Sequence, residues 1–98
     1  MAGKKVLIID DDETLRESLE EQLQLHEEFA TVGVGTAKDA LETVKEGYFD
    51  IILLDIGLPD MDGRDACRLL RRNGVSSPII MLTGADSDAD TILGLDAG

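Results

Sequence analysis

The run Ile51-Ile-Leu-Leu-Asp55 constrains the fold more than any other stretch of the chain. It is apolar on both faces, ends on an acid, and turns at once into a loop marked by Gly57, Pro59 and Gly63. A strand of this kind belongs in the middle of a parallel sheet, with helices covering both sides. In such sheets ligands bind beyond the carboxyl ends of the strands, so Asp55 stands where chemistry would occur. Taken alone, Asp55 reads equally well as a loop acid capping the next helix.

The remainder of the chain repeats the alternation. Lys4-Lys-Val-Leu-Ile-Ile-Asp10 is a short apolar run with branched residues that also ends on acid, and so reads as a strand. Asp12 is a natural N-cap for a helix over about residues 12 to 26, whose Leu15, Leu19 and Leu23 form a stripe directed at the sheet. Phe29 to Val34 is a less apolar strand interrupted by Gly33, suited to a sheet edge. Thr36 then caps a second helix with Ala37, Ala40, Leu41 and Val44 on one face, and Gly47 ends it. The Gly33-Val-Gly35 pattern lacks the third glycine of a dinucleotide fingerprint, which would fall at Lys38, so turn glycines explain it better.

Asp62 and Gly63 open a third helix carrying Ala66, Leu69 and Leu70, with its arginines mostly outside, and Asn73-Gly74 stops it. Ser77 to Thr83 is a fourth strand with proline at its entrance. After Gly84 and Ala85, Ser87 or Asp88 starts a last helix holding Ile92, Leu93 and Leu95. This β-α alternation, four times over, predicts a doubly wound parallel sheet in a single domain spanning residues 1–98.

Charge narrows the function classes. Nine basic against twenty-one acidic residues leave a net charge of −12, which repels nucleic-acid backbones and anionic membranes and suits partners with basic patches or bound cations. The only aromatic residues are Phe29, Tyr48 and Phe49, so the core must be aliphatic. A single cysteine, Cys67, excludes an internal disulfide and reads as a small apolar helix residue in a reducing setting. With no bilayer-length apolar run and no secretory leader, a cytoplasmic location is expected.

Strand ends carry the chemistry. Asp10 and Asp11 follow the first strand, Asp55 the third and Thr83 the fourth, and in a parallel sheet these ends share one edge. Carboxylates gathered there repel and hold their protons more tightly unless a cation lies among them. Magnesium suits such a hard oxygen set; calcium is also compatible, although no EF-hand loop is present. A carboxylate beside magnesium, with no evident general base, is suited to act as a nucleophile toward phosphorus. The plainer alternative is that Asp10 to Asp12 cap a helix and Thr83 ends a strand.

Val6-Leu-Ile-Ile-Asp-Asp-Asp12, the block from Ile51 to Gly63 and Pro78-Ile-Ile-Met-Leu-Thr83-Gly together resemble the receiver domain of bacterial two-component response regulators, in order and spacing along the whole chain. The resemblance implies a flavodoxin-like fold and a phosphoacceptor at Asp55, which takes its phosphoryl group from a sensor histidine kinase or a histidine phosphotransfer protein. It implies magnesium bound by Asp11, by Asp10 chiefly through a water, by Asp55 and by the backbone carbonyl of Gly57. Thr83 becomes the switch hydroxyl, Pro59 and Gly63 shape the loop, and Leu15 and Ser18 match positions that meet the kinase.

Receivers continue through a fifth strand, a phosphoryl-pairing lysine, a switch aromatic and a fifth helix, which would follow Gly98. Lys4 and Lys5 lie at the far end of the first strand, ~16 Å from Asp10, and Lys38 and Lys45 belong to the second helix. In the family order 2-1-3-4-5, loss of the fifth strand leaves the edge of the fourth open, so a truncated receiver is expected to self-associate there. Two further functions stay in view. One is an interaction module that keeps the fold without phosphorylation; the other is an aspartyl-phosphate hydrolase, which would need an acid where Gly57 stands.

Overall fold

The structure is a computed structural model that describes residues 3–26, 28–82 and 92–94. Its elements run β1 (Lys4–Ile9), α1 (Glu13–Gln24), β2 (Phe29–Val34), α2 (Ala37–Glu46), β3 (Ile51–Asp55), α3 (Gly63–Arg72), β4 (Ile79–Leu82) and β5 (Ile92–Gly94). The first four strands are parallel in the order β2-β1-β3-β4, with β2 at the edge. That is the doubly wound arrangement implied by the alternation of apolar runs and amphipathic segments.

Each helix begins where a short polar side chain takes up a free backbone N–H. Asp12 accepts from Leu15, Thr36 from Asp39 and Asp62 from Arg64. The turn after α3 needs Gly74, whose φ of 92° lies in the left-handed region. Arg71, one of the helix arginines read as mostly outside, folds its guanidinium back to donate to the carbonyls of Val75 (3.0 Å) and Ser77 (2.7 Å). These carbonyls lie between α3 and β4, and the arginine ties that segment shut.

The two faces of the sheet are covered unequally. Leu7, Ile9, Ile52, Leu54, Ile79 and Met81 form one continuous core with Ala37, Ala40, Ala66, Cys67 and Leu70 of α2 and α3. Cys67 is fully buried there, as its reading as an apolar helix residue implied. On the opposite face Val6 and Ile8 are buried, but Ile51, Leu53 and Ile80 are only half-buried. The leucine stripe of α1 covers this side loosely: Leu19 and Leu23 are half-buried and Leu15 is 42% exposed. Helix α1 packs mainly over β2, at the edge of the sheet, so its stripe is directed inward without being sealed.

The largest departure from expectation lies after β4. The helix expected from Ser87 or Asp88 is not formed at residues 92–94, which instead make β5, antiparallel to β4 with Leu82 opposite Ile92 and Met81 opposite Gly94. Residues 87–91 and 95 of that expected helix lie outside the described residues. The physical reason is the edge itself: unpaired backbone groups of β4 are met by this short segment, and the edge expected to be open is occupied at Met81 and Leu82. The ladder shifts register between these two residues, a bulge of the kind common at sheet edges.

Leu54 is wholly buried in the center of the sheet. Leu54→Ala is expected to lower the unfolding free energy by about 2–5 kcal/mol, read from urea melts, because the close-packed core around it cannot collapse fully.

Candidate functional site

Backbone pairing brings the acids together. Ile9 lies opposite Leu54 in the β1–β3 ladder, so the residues that follow, Asp10 and Asp55, emerge side by side. Asp10 prolongs the β1–β2 ladder by donating its N–H to the carbonyl of Val34 at 3.0 Å. Its carboxylate accepts from the N–H of Asp12 at 2.9 Å, while Asp12 turns outward to cap α1. Arg16, one turn into α1, donates to the Asp10 carbonyl at 2.8 Å and fixes the turn from the other side. One carboxylate oxygen from each of Asp10, Asp11 and Asp55 lies within 4.8 Å of the others.

The loop after β3 is folded tightly onto that cluster. Gly57 pairs with Asp62 in an isolated antiparallel bridge, and Gly63 donates its N–H to the carbonyl of Ile56 at 2.7 Å. Leu58 plugs the loop into the core, whereas Pro59 and Gly57 are exposed. Gly63 is required by close approach: a Cβ there would lie 2.4 Å from the Asp55 carbonyl oxygen and 2.6 Å from Cα of Ile56. Asp60, in mid-loop, reaches to α2, where its two carboxylate oxygens accept from the N–H groups of Ala37 and Lys38, each at 3.0 Å.

Electrostatics follow from this packing. Burial pushes the Asp10 carboxyl up, opposed by the hydrogen bond from Asp12 and reinforced by the charges of Asp55, Asp11 and Asp12. Burial likewise raises Asp55, against hydrogen bonds from Gly57 and Ile56 and with the charges of Asp11 and Asp12 adding to the rise. Asp60 moves the opposite way, lowered chiefly by the N–H of Ala37. Arg64 pairs with Asp62 and Arg68 with Asp65, so neither of these arginines serves the three clustered carboxylates. Hard oxygen donors in a partly buried setting of gathered negative charge, supplied by Asp10, Asp11 and Asp55, suit a divalent cation such as magnesium.

Of the other residues singled out from sequence, Leu15 and Ser18 lie exposed on α1, and Thr83 lies outside the described residues. Arg16 and Asp60 were missed. Arg16 carried no signal beyond its place one turn after a cap. Asp60 carried one: Asp62 already caps α3, which leaves a second loop acid without a local task.

Two outcomes follow. Gly63→Ala is expected to destabilise the chain by ~1–3 kcal/mol in chemical melts through overpacking against the β3–α3 turn. The second concerns pH. Asp10 and Asp55 bind protons more tightly when folded than the ordinary aspartate value of 3.8, so their charged forms cost stability that is regained as pH falls through the raised folded values. Asp60 has the reverse sign, its contribution being present above the unfolded value and lost as pH falls through the lowered folded one. Asp55→Asn should therefore melt at a higher temperature than the parent at pH 7, the difference shrinking toward acid pH. Added magnesium chloride should raise the melting temperature of the parent more than that of the variant, and circular-dichroism melts across pH check both.

Comparison with known proteins places this geometry in a family. The response regulator receiver domain family matches residues 6–98. The DNA-binding response regulator MtrA of Mycolicibacterium smegmatis is 41% identical over 95 residues, covering 97% of this chain and 41% of that protein. The transcriptional regulatory protein PmrA of Pectobacterium parmentieri is 38% identical over 94 residues, covering 96% of this chain and 42% of that protein. The chain thus spans about two fifths of the length of these curated relatives. Among solved structures, a CheY-like response regulator receiver domain from Methylobacillus flagellatus superposes with a TM-score of 0.81 at 26% identity, over 98% of this chain and 79% of that one. The response regulator TrrA of Thermotoga maritima, in complex with Mg(2+)-BeF, gives 0.76 at 30% identity, over 85% of this chain and 71% of that one. No helix among the described residues is long and apolar enough to cross a membrane. By its sequence, its sheet order and its strand-end acids, the chain belongs to the response regulator receiver domains of two-component systems.

Proposed function

We propose that this chain is a magnesium-dependent phosphoacceptor with Asp55 as the acceptor. The observation that carries the reading is the convergence of three carboxylates within 4.8 Å at the carboxyl edge of a parallel sheet. Response regulators receive phosphate from sensor histidine kinases, and a kinase or a histidine phosphotransfer protein is the proposed donor here. In the step, an Asp55 carboxylate oxygen attacks phosphorus of a phosphohistidine. The P–O bond forms as the P–N bond breaks, and the electron pair returns to the imidazole nitrogen.

Asp10 and Asp11, with Asp55 and the main-chain carbonyl of Gly57, would hold the metal. When bound, magnesium supplies positive charge to the transferring oxygens. The backbone N–H groups of Ile56 and Gly57, already donating to the Asp55 carboxylate, keep it oriented. Pro59 and Gly63 hold the loop in shape, Thr83 supplies the switch hydroxyl, and exposed Leu15 and Ser18 meet the phosphodonor. The new dianionic group then shifts a two-state surface that a partner reads.

Incubation with acetyl phosphate and magnesium, followed by intact mass, tests this. The parent should gain one phosphoryl group, while Asp55→Asn, and the parent with a chelator, should gain none. A folded parent that gains none overturns the acceptor role and leaves a scaffold for protein interaction.

A further inference from the structure

We propose that Asp60 is a positioning residue for the metal site, acting as a clasp that holds the loop bearing Gly57 against the N-terminus of α2. The proposal rests on the magnesium reading above. Asp60 is exposed, yet its carboxylate makes two hydrogen bonds to another part of the chain, from Ala37 and Lys38, 23 and 22 residues away in sequence. Each bordering helix already has a side-chain cap of its own, and Asp60 takes the two N–H groups of α2 that Thr36 leaves free. Thr36 already caps α2, accepting from Asp39 at 3.0 Å, and Asp62 already caps α3, accepting from Arg64 at 2.7 Å.

What the contact adds is restraint on the loop. A carboxylate bound through both oxygens resists rotation as well as displacement, since turning it breaks one of the two bonds. The link to the site is the loop itself: Asp60 follows Gly57 by two intervening residues, and the bridge from Gly57 to Asp62 closes the loop across it. The α2 end of the clasp is rigid, because Ala37 and Ala40 are buried in the main core. Negative charge at a helix N-terminus is also favourable to the helix dipole, so the clasp is closed without strain. Loops that present a main-chain carbonyl to a cation need this kind of outer support, and loss of such partners commonly weakens metal binding.

The test is a magnesium chloride titration followed by amide NMR on the parent, Asp60→Ala, Asp60→Asn and Thr36→Ala. Asp60→Ala should weaken magnesium binding roughly tenfold. Asp60→Asn, which keeps one oxygen acceptor, should fall between it and the parent. Thr36→Ala removes a cap from the same helix without touching the loop. It should speed hydrogen exchange at Asp39 while leaving the magnesium Kd unchanged.

Magnesium binding by Asp60→Ala that matches the parent overturns the clasp, as does equal weakening by Thr36→Ala, which would make Asp60 a helix cap and nothing more. If Asp60→Ala loses its dispersed spectrum, the Asp60→Asn comparison decides in the same way. A parent that itself fails to bind magnesium overturns the metal reading and the clasp with it. A parent that binds while Asp60→Ala binds equally well overturns the clasp alone.

Discussion

Parallel pairing forces like charges together. Once Ile9 lies opposite Leu54, the acids that follow each strand have no freedom to separate, and burial of Asp10 and Asp55 removes the water that would screen them. The backbone ladder, which is strong and cooperative, thereby sustains an arrangement that the side chains alone would oppose. Stability is given up at one edge of the sheet, where the gathered carboxylates make a setting that suits a cation. The aliphatic core under α2 and α3 makes that tension sustainable, since Ile52 and Leu54 of β3 and the neighbouring Ile79 are wholly buried.

The tolerance is local. The loop after β3 is bound at its start by the bridge between Gly57 and Asp62, in its middle by Leu58 and Asp60, and at its end by the close fit of Gly63. Each restraint is of a different kind: a backbone pairing, an apolar plug, an anion on a helix N-terminus, and a steric requirement for glycine. A displacement of the loop must loosen several of them together, which favours two discrete arrangements over continuous drift.

Much of this was legible in the residues. Short apolar runs ending in polar side chains located β1, β2, β3 and the body of β4, because strand burial is written in local hydrophobicity. Caps at Asp12, Thr36 and Asp62 marked helix starts, since capping chemistry is local as well. The convergence of Asp10, Asp11 and Asp55 followed from strand direction alone. What was not legible depends on distant partners. Periodicity told which side of α1 turns inward but not how deeply, and Leu15 remained exposed. Arg71 and Asp60 bind backbone groups whose availability only the assembled fold reveals. Ile92 and Leu93 suit helix and strand alike, and the unpaired edge of β4 decided for strand.

The burial of Cys67 has a practical side. Its sulfur sits on α3 against the sheet, in the layer that continues directly from the loop after β3. A thiol in that position meets an alkylating reagent only when the layer lifts. The rate of its modification in the native protein therefore counts such openings, and setting it beside the rate of whole-chain unfolding separates partial breathing from collapse of the fold. The chain carries a single-atom clock for the motion of the layer on which its signalling edge rests.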